Sequence, residues 1–166
     1  TAAMSYAFDG GFSLAGGISS DPSGILAKVE NDAFGLEAAY TADSYGIAVA
    51  YSDVEGTTDA TFWGVNGMYA FDFATISAGV ESEDPVGGST KTGFFVGLSF
   101  PEVGAGTFDI GLATSANYAS SDTEYYTYEA SYSYPINDGM TITPGVFIQE
   151  GTTDKTGFAV KTSFSF

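Results

Sequence analysis

Apolar and polar residues alternate along most of this chain with a period of two, the pattern of β-strands that have one apolar and one polar face. The clearest case is the segment 156–166, in which every second residue from Phe158 to Phe166 is aromatic or β-branched. The residues between them are small or polar, among them Gly157 and Lys161. A strand of about this length with one apolar face suits a transmembrane β-barrel, but the last strand of a soluble β-sandwich would show the same pattern.

Segments with this alternation recur, and each is flanked by Gly, Asp, Ser, Asn or Pro, the residues that favour turns. The sequence therefore predicts an all-β fold. Its eleven strands are expected at approximately 2–8, 11–19, 33–41, 45–53, 60–71, 73–82, 92–100, 107–118, 124–134, 139–149 and 156–166. Pro144 falls inside the tenth strand, where it cannot donate a ladder hydrogen bond, so we expect a β-bulge at that residue.

The connections between the predicted strands fall into two sets that alternate along the chain. Short ones lie at 9–10, 41–44, 72, 101–106 and 135–139. Longer or more polar ones lie at 20–32, 53–59, 82–91, 119–123 and 150–155. Short turns at one end and longer loops at the other predict an antiparallel up-and-down transmembrane β-barrel of the outer-membrane type, whose long loops face outside the cell.

The two faces of the predicted strands differ in composition. When the register is chosen that puts aromatic residues on one face, that face holds most of the aromatic residues and no Asp, Glu or Lys. The opposite face is made of Ser, Thr, Gly and Ala with occasional carboxylates. A sandwich would need its apolar face in the core and a well-charged outside. The contrast favours a membrane barrel with outer-membrane lipid around it and water in its lumen.

Four carboxylates on the polar face are the candidate functional groups, opposed only by the amino group of Lys161. Carboxylates in a pore favour cations by direct Coulomb attraction, which is screened over roughly 8 Å at physiological salt. The alternative is that these groups only hydrate the wall of the lumen. The predicted pore-lining residues are Glu37, Glu81, Asp109, Glu129, Lys161, Asn66, Asn117 and Gln149.

The chain of 166 residues has 21 acidic and only four basic residues, all of them Lys, and its net charge is −17. Such an acidic chain is not expected to bind nucleic acid. It contains no Cys and no His, the usual soft metal ligands and general bases, so we expect no cofactor and no enzyme. The acidic segments Asp21-Pro22-Ser23, Asp53-Val54-Glu55 and Glu83-Asp84-Pro85 could bind Ca²⁺ through oxygen ligands or could simply be solvated.

The predicted number of strands is odd, whereas single-chain bacterial barrels have an even number. An open sheet would also leave backbone groups unpaired in lipid. We therefore expect residues 1–166 to form the C-terminal portion of a longer barrel domain, with at least one strand before residue 1. The alternative is a miscount by one strand in the region 20–32.

Four stretches of the chain carry a family resemblance. They are residues 94–108, 132–147 and 160–166, which read FFVGLSFPEVGAGTF, YSYPINDGMTITPGVF and VKTSFSF, together with 40–51. They resemble cyanobacterial outer-membrane porins of the carbohydrate-selective porin superfamily. The resemblance implies a sixteen-stranded barrel, a periplasmic domain that tethers it to the cell wall, a homotrimer and passive uptake of small solutes. Sugar-selective members line the pore with Arg, and this chain has no Arg.

These features predict a general-diffusion porin, through whose acidic and weakly cation-selective lumen small hydrophilic solutes and inorganic ions pass passively. Two other classes stay open. One is a structural or receptor barrel with a plugged or narrow lumen, whose acidic loops bind a partner. The other is a soluble acidic β-sandwich that binds a ligand through its Tyr-rich face.

Overall fold

The computed structural model describes residues 2–21, 31–55, 59–114 and 124–165. They form an eleven-stranded antiparallel sheet in which the order of the strands in space is their order in the chain. The predicted all-β, up-and-down fold is confirmed. The strands are β1 (Ala2–Ala7), β2 (Phe12–Asp21), β3 (Asn31–Thr41), β4 (Tyr45–Val54), β5 (Ala60–Ala70), β6 (Thr75–Pro85), β7 (Lys91–Val103), β8 (Gly106–Thr114), β9 (Tyr126–Asn137), β10 (Met140–Gln149) and β11 (Lys155–Phe164).

The chain divides into two compact units. The first comprises Thr1–Met68 and Gly79–Gly93, and the second comprises Tyr69–Ala78 and Phe94–Phe166. In both, β-branched and aromatic residues at every second position favour extended backbone. Within the described ranges, no helix is long and apolar enough to cross a membrane.

Cross-strand pairs show which residues share a face in each unit. In the first unit, Leu36 pairs with Tyr51. In the second, Leu112 pairs with Val96 on one side and with Tyr128 on the other. The faces that hold these residues are called the apolar faces, and the opposite ones are called the polar faces.

The apolar faces have no packed layer against them within the described residues. Among the described residues, Ala60 and Ala74 are the buried apolar ones, and no large side chain is fully buried. By contrast, Met4, Leu36 and Phe158 are 79%, 60% and 68% exposed. A sandwich would bury such a face in its core, whereas a membrane barrel presents it to lipid. The exposure matches the membrane barrel.

Aromatic side chains form bands beside the short turns. The ring pairs, with their centroid separations, are Tyr6–Phe8 at 4.6 Å and Tyr40–Tyr45 at 5.7 Å in the first unit, and Tyr69–Phe71 at 4.7 Å, Phe100–Phe108 at 6.4 Å and Tyr132–Tyr134 at 6.4 Å in the second. Outer-membrane barrels carry such bands where the lipid tails give way to headgroups and water.

Two strands run further than predicted because they continue through a proline. β7 includes Pro101 and shows a register shift between Phe100 and Val103. β9 likewise runs through Pro135. A register shift accommodates the N–H that proline lacks. The β7–β8 turn then begins at Gly104, whose φ of 66° is a conformation that glycine adopts without steric cost.

The predicted loop 82–91 is also shorter than expected, since β6 continues to Pro85 and β7 begins at Lys91. The turn between them includes Gly87 with a φ of 78°. Polar residues near the end of a strand resemble a loop in the sequence, yet they fit a strand that has a polar face. Glu83 therefore belongs to a strand.

The bulge expected at Pro144 is not at that residue. The register of β10 against β9 is the same on both sides of Pro144, from the pair Ile142–Tyr134 to the pair Gly145–Ser131. The register shift lies at the first residues of β10, next to the turn.

Candidate functional site

In the first unit, Glu37 and Asn66 lie on the polar face, and both are exposed. Glu37 of β3 pairs with Ala50 of β4. Gly46 is four residues before Ala50 on β4 and therefore lies on the same face. A Cβ added to Gly46 would lie 3.7 Å from Cγ of Met68, so Met68 of β5 is on this face too. Asn66 is two residues before Met68 on β5, so it also lies on this face, together with Glu37.

Glu81 joins this face from β6. A Cβ added to Gly64, two residues before Asn66, would lie 3.9 Å from Cβ of Glu81, which is itself exposed. Because β6 and β7 are longer than predicted, Glu83 and Lys91 also fall at polar-face positions by alternation. The polar face of the first unit therefore has acidic residues at its centre, and an acidic and a basic residue near the β6–β7 turn.

In the second unit, two neighbouring rows of cross-strand partners form the centre of the polar face. One row is Asp109, Ser131, Gly145 and Ala159, and the other is Gly111, Glu129, Phe147 and Gly157. Directly opposite partners have Cβ atoms about 4.5–5.5 Å apart, and diagonal ones about 7–8 Å. Glu129 therefore has Phe147 as its direct neighbour and Asp109 as a diagonal one. Glu129 is exposed and Asp109 is half-buried.

The two rows surround a depression of about 320 Å³. The residues that line it include Asp109, Glu129, Phe147 and Gly145. The Phe147 ring lies over Gly157 on β11, where an added Cβ would overlap it. The ring therefore leans towards β11, away from Glu129.

The polar face of the second unit also carries two amino groups. Lys161, which was predicted on the polar face, pairs with Thr143, and Lys155 pairs with Gln149. The prediction that Lys161 is the only opposing amino group is wrong, because β11 begins at Lys155 and brings that residue out of the predicted loop. The carboxylates thus lie on β8 and β9 and the amino groups on β11.

Three Phe rings on the polar faces escaped the sequence analysis. They are Phe62 in the first unit and Phe95 and Phe147 in the second, and the first two are 37% and 41% exposed. The signal that could have found them is a doublet of large apolar residues within a strand. In Phe62-Trp63, Phe94-Phe95 and Phe147-Ile148, alternation sends one member to each face.

Carboxylates also occur at the loop end of the apolar faces, which the sequence analysis left uncharged. Asp53 pairs with Phe34 and accepts a hydrogen bond of 3.3 Å from the Tyr51 hydroxyl. Glu150 accepts one of 3.3 Å from the Tyr128 hydroxyl. Each carboxylate meets the polar tip of a tyrosine, as expected where the apolar band ends and water begins.

Asn117 and most of the segment Asp21-Pro22-Ser23 lie outside the described residues. In another acidic segment, Asp84 accepts a hydrogen bond of 2.8 Å from the hydroxyl of Thr90. Within 2–21, 31–55, 59–114 and 124–165, no group of three or more acidic residues could hold a metal ion.

An antiparallel meander with exposed apolar faces, polar faces opposite them and aromatic bands at the strand ends defines an outer-membrane β-barrel of the porin class. The chain belongs to the Gram-negative porin family, whose profile matches residues 1–156. Membership of this family indicates an outer-membrane location.

Solved structures share the fold. A porin refined at 1.8 Å resolution is similar with a TM-score of 0.77 at 15% identity, and the match covers 99% of this chain and 60% of that porin. The KdgM porin in complex with disordered oligogalacturonate gives 0.51 at 14% identity, covering 99% and 90%. The KdgM porin alone gives 0.50 at 14%, covering 99% and 89%. No curated protein matches the chain.

Proposed function

We propose that the polar faces line a water-filled pore through which small hydrophilic solutes and inorganic ions diffuse passively across the outer membrane, with a weak preference for cations. The observation that carries the proposal is the exposure of Glu37, Glu81 and Glu129 on the faces opposite the apolar ones. Charged side chains at membrane depth are stable where they meet water, so an aqueous lumen is the surrounding that suits them.

The preference for cations rests mainly on the first unit. There, Glu37 and Glu81 lie well inside their strands. In the second unit, the amino groups of Lys155 and Lys161 oppose the carboxylates of β8 and β9. The resulting excess of negative charge is small and screened over roughly 8 Å, which supports a weak rather than a strict selectivity.

Finer features of the proposal rest on the resemblance to cyanobacterial porins of the carbohydrate-selective superfamily, namely a homotrimer linked to the cell wall and passage of carbohydrates. The KdgM porin was solved with an oligogalacturonate, which is an acidic saccharide. With carboxylates on the polar faces and no Arg in the chain, neutral saccharides are the ones that we expect this protein to pass.

The test is the conductance of the intact protein in a planar lipid bilayer, with the reversal potential measured across a KCl gradient. We expect stable channels and a cation-selective reversal potential. The double change Glu37→Gln and Glu81→Gln should move that potential towards zero, while Asp72→Asn in the β5–β6 turn should leave it unchanged. A folded protein without conductance would favour a plugged barrel. An unchanged potential in the double variant would show that the two carboxylates only hydrate the wall.

A further inference from the structure

The depression in the second unit combines negative charge with an apolar wall. The residues that line it include two acidic ones, Asp109 and Glu129, and no lysine. Lys155 and Lys161 are on β11, in the register rows on either side. A positively charged group is therefore attracted to the β8–β9 side of the depression and repelled from the β11 side.

The ring of Phe147 adds a different attraction. Phe147 lines the depression and belongs to the same register row as Glu129, and its ring leans over Gly157 on the β11 side. A cation within about 6 Å of the centre of an aromatic ring is attracted to its face, and alkyl carbons pack against the ring as well. An ion without carbon gains only the first of these two interactions.

The size of the depression limits the ligand. Its volume of about 320 Å³ is at the lower end of the range for small-molecule sites. Gly111 keeps part of it free of side chains, since a Cβ added there would meet nothing nearer than the Val96 carbonyl oxygen at 3.9 Å. A compact molecule with a single ring or a short carbon chain fits this space.

We propose that this depression is a binding subsite for protonated alkylamines on the wall of the pore. The ammonium group lies between Asp109 and Glu129, and the carbon part packs on Phe147. The inference rests on the proposed function, because the amine reaches the depression through the lumen. It adds a solute class for which the pore has a local affinity beyond the general preference for cations.

The first test uses the unmodified protein in a planar bilayer with KCl on both sides. Cyclohexylammonium chloride is the probe, and its half-blocking concentration for the K⁺ current is compared with those of NaCl and glucose. Sodium has the charge without the ring, and glucose has a ring without the charge. We expect block by cyclohexylammonium at a concentration at least roughly tenfold lower than for either comparator, because it alone gains both interactions.

The second test assigns the subsite to its residues. The double change Asp109→Asn and Glu129→Gln should raise the half-blocking concentration by roughly tenfold or more, since both charged partners of the ammonium are lost. Phe147→Leu, which removes the aromatic face, should raise it by roughly two- to fivefold. Asp138→Asn in the β9–β10 turn removes one negative charge outside the depression and should leave it unchanged.

The outcomes separate the two proposals. A protein that folds but conducts no K⁺ overturns the pore itself. If it conducts and cyclohexylammonium blocks no better than NaCl, the pore stands and the subsite is wrong. If the amine blocks equally well in the carboxylate variants, whose K⁺ current reports that they are folded, the block occurs elsewhere and the subsite is again wrong.

Discussion

The ring of Phe147 lies over Gly157 on the neighbouring strand, in the place that a Cβ of residue 157 would occupy. The two residues are direct cross-strand partners between β10 and β11. A large ring on the polar face can lean over this neighbouring strand because its partner has no side chain.

The first prediction follows from this contact. Gly157→Ala should lower the free energy of unfolding by about 1–3 kcal/mol, because the ring must move or the strands must shift. The matched control is Gly111→Ala, where the added Cβ would come no closer than 3.9 Å to the Val96 carbonyl oxygen. Urea unfolding in lipid vesicles, followed by the fluorescence of the single tryptophan, Trp63, measures both. Equal stability of the two variants would contradict the prediction.

A second prediction uses adjacent residues of β4 that lie on opposite faces. Val49 pairs with Ala38 on the apolar face, and Ala48 pairs with Ala39 on the polar face. Val49→Arg should destabilise the protein by about 2–4 kcal/mol, because it places a charge in lipid. Ala48→Arg should cost well under this amount and should reduce the preference for cations. The same unfolding assay and the reversal potential test the pair, and a larger loss for Ala48→Arg would reverse our assignment of the faces.

A third prediction concerns the β1–β2 turn, where Gly10 and Gly11 have φ of 91° and 87°. A Cβ at Gly11 would overlap the carbonyl oxygen of Thr41, whereas one at Gly10 would meet nothing within 4 Å. Gly10→Ala should therefore cost about 1–2 kcal/mol from backbone strain alone. Gly11→Ala should cost about 1–3 kcal/mol more than that. The difference between the two unfolding free energies isolates the steric effect, and a difference of zero would refute it.

A fourth prediction concerns the hydroxyl of Tyr132, which donates a hydrogen bond of 2.7 Å to the carbonyl oxygen of Val103. This bond ties β9 to the last residue of β7. Tyr132→Phe should lower the free energy of unfolding by about 0.5–1.5 kcal/mol. Tyr134→Phe, at the ring that stacks on Tyr132 at 6.4 Å, is the control for the loss of a hydroxyl in the same aromatic band. A loss confined to Tyr134→Phe would show that the bond is not stabilising.

Alternation was enough to predict which residues share a face, because each step along a strand reverses the side chain. That is why Glu37, Asn66 and Glu81 lie together on one polar face, and Asp109 and Glu129 on another. Whether the polar faces line a pore stays a prediction.

The ends of the strands are harder to predict. A strand ends where its hydrogen-bonded partner ends, which need not be where its own alternation of apolar and polar residues ends. Pro101 looked like a turn, but a register shift lets β7 continue past it. Lys155 looked like part of a loop, yet it pairs with Gln149. Alternation alone places Phe147 on the polar face, but the lean of its ring depends on the empty position at Gly157, which belongs to another strand. Such facts require the cross-strand register.

The sequential order of the strands has a consequence for how such a sheet can change in evolution. Every strand is bonded to its nearest neighbours in the chain, and β7 and β8, for example, are joined by a turn of two residues, Gly104 and Ala105. Closing such short loops costs little entropy, so neighbouring strands pair readily. Duplicating or deleting one hairpin would leave the side chains of every other strand on the same faces. It would alter the width of the sheet by about 9.5 Å, twice the spacing of strands. The width of such a sheet can therefore change in steps of one hairpin, while the residues of each remaining strand are preserved.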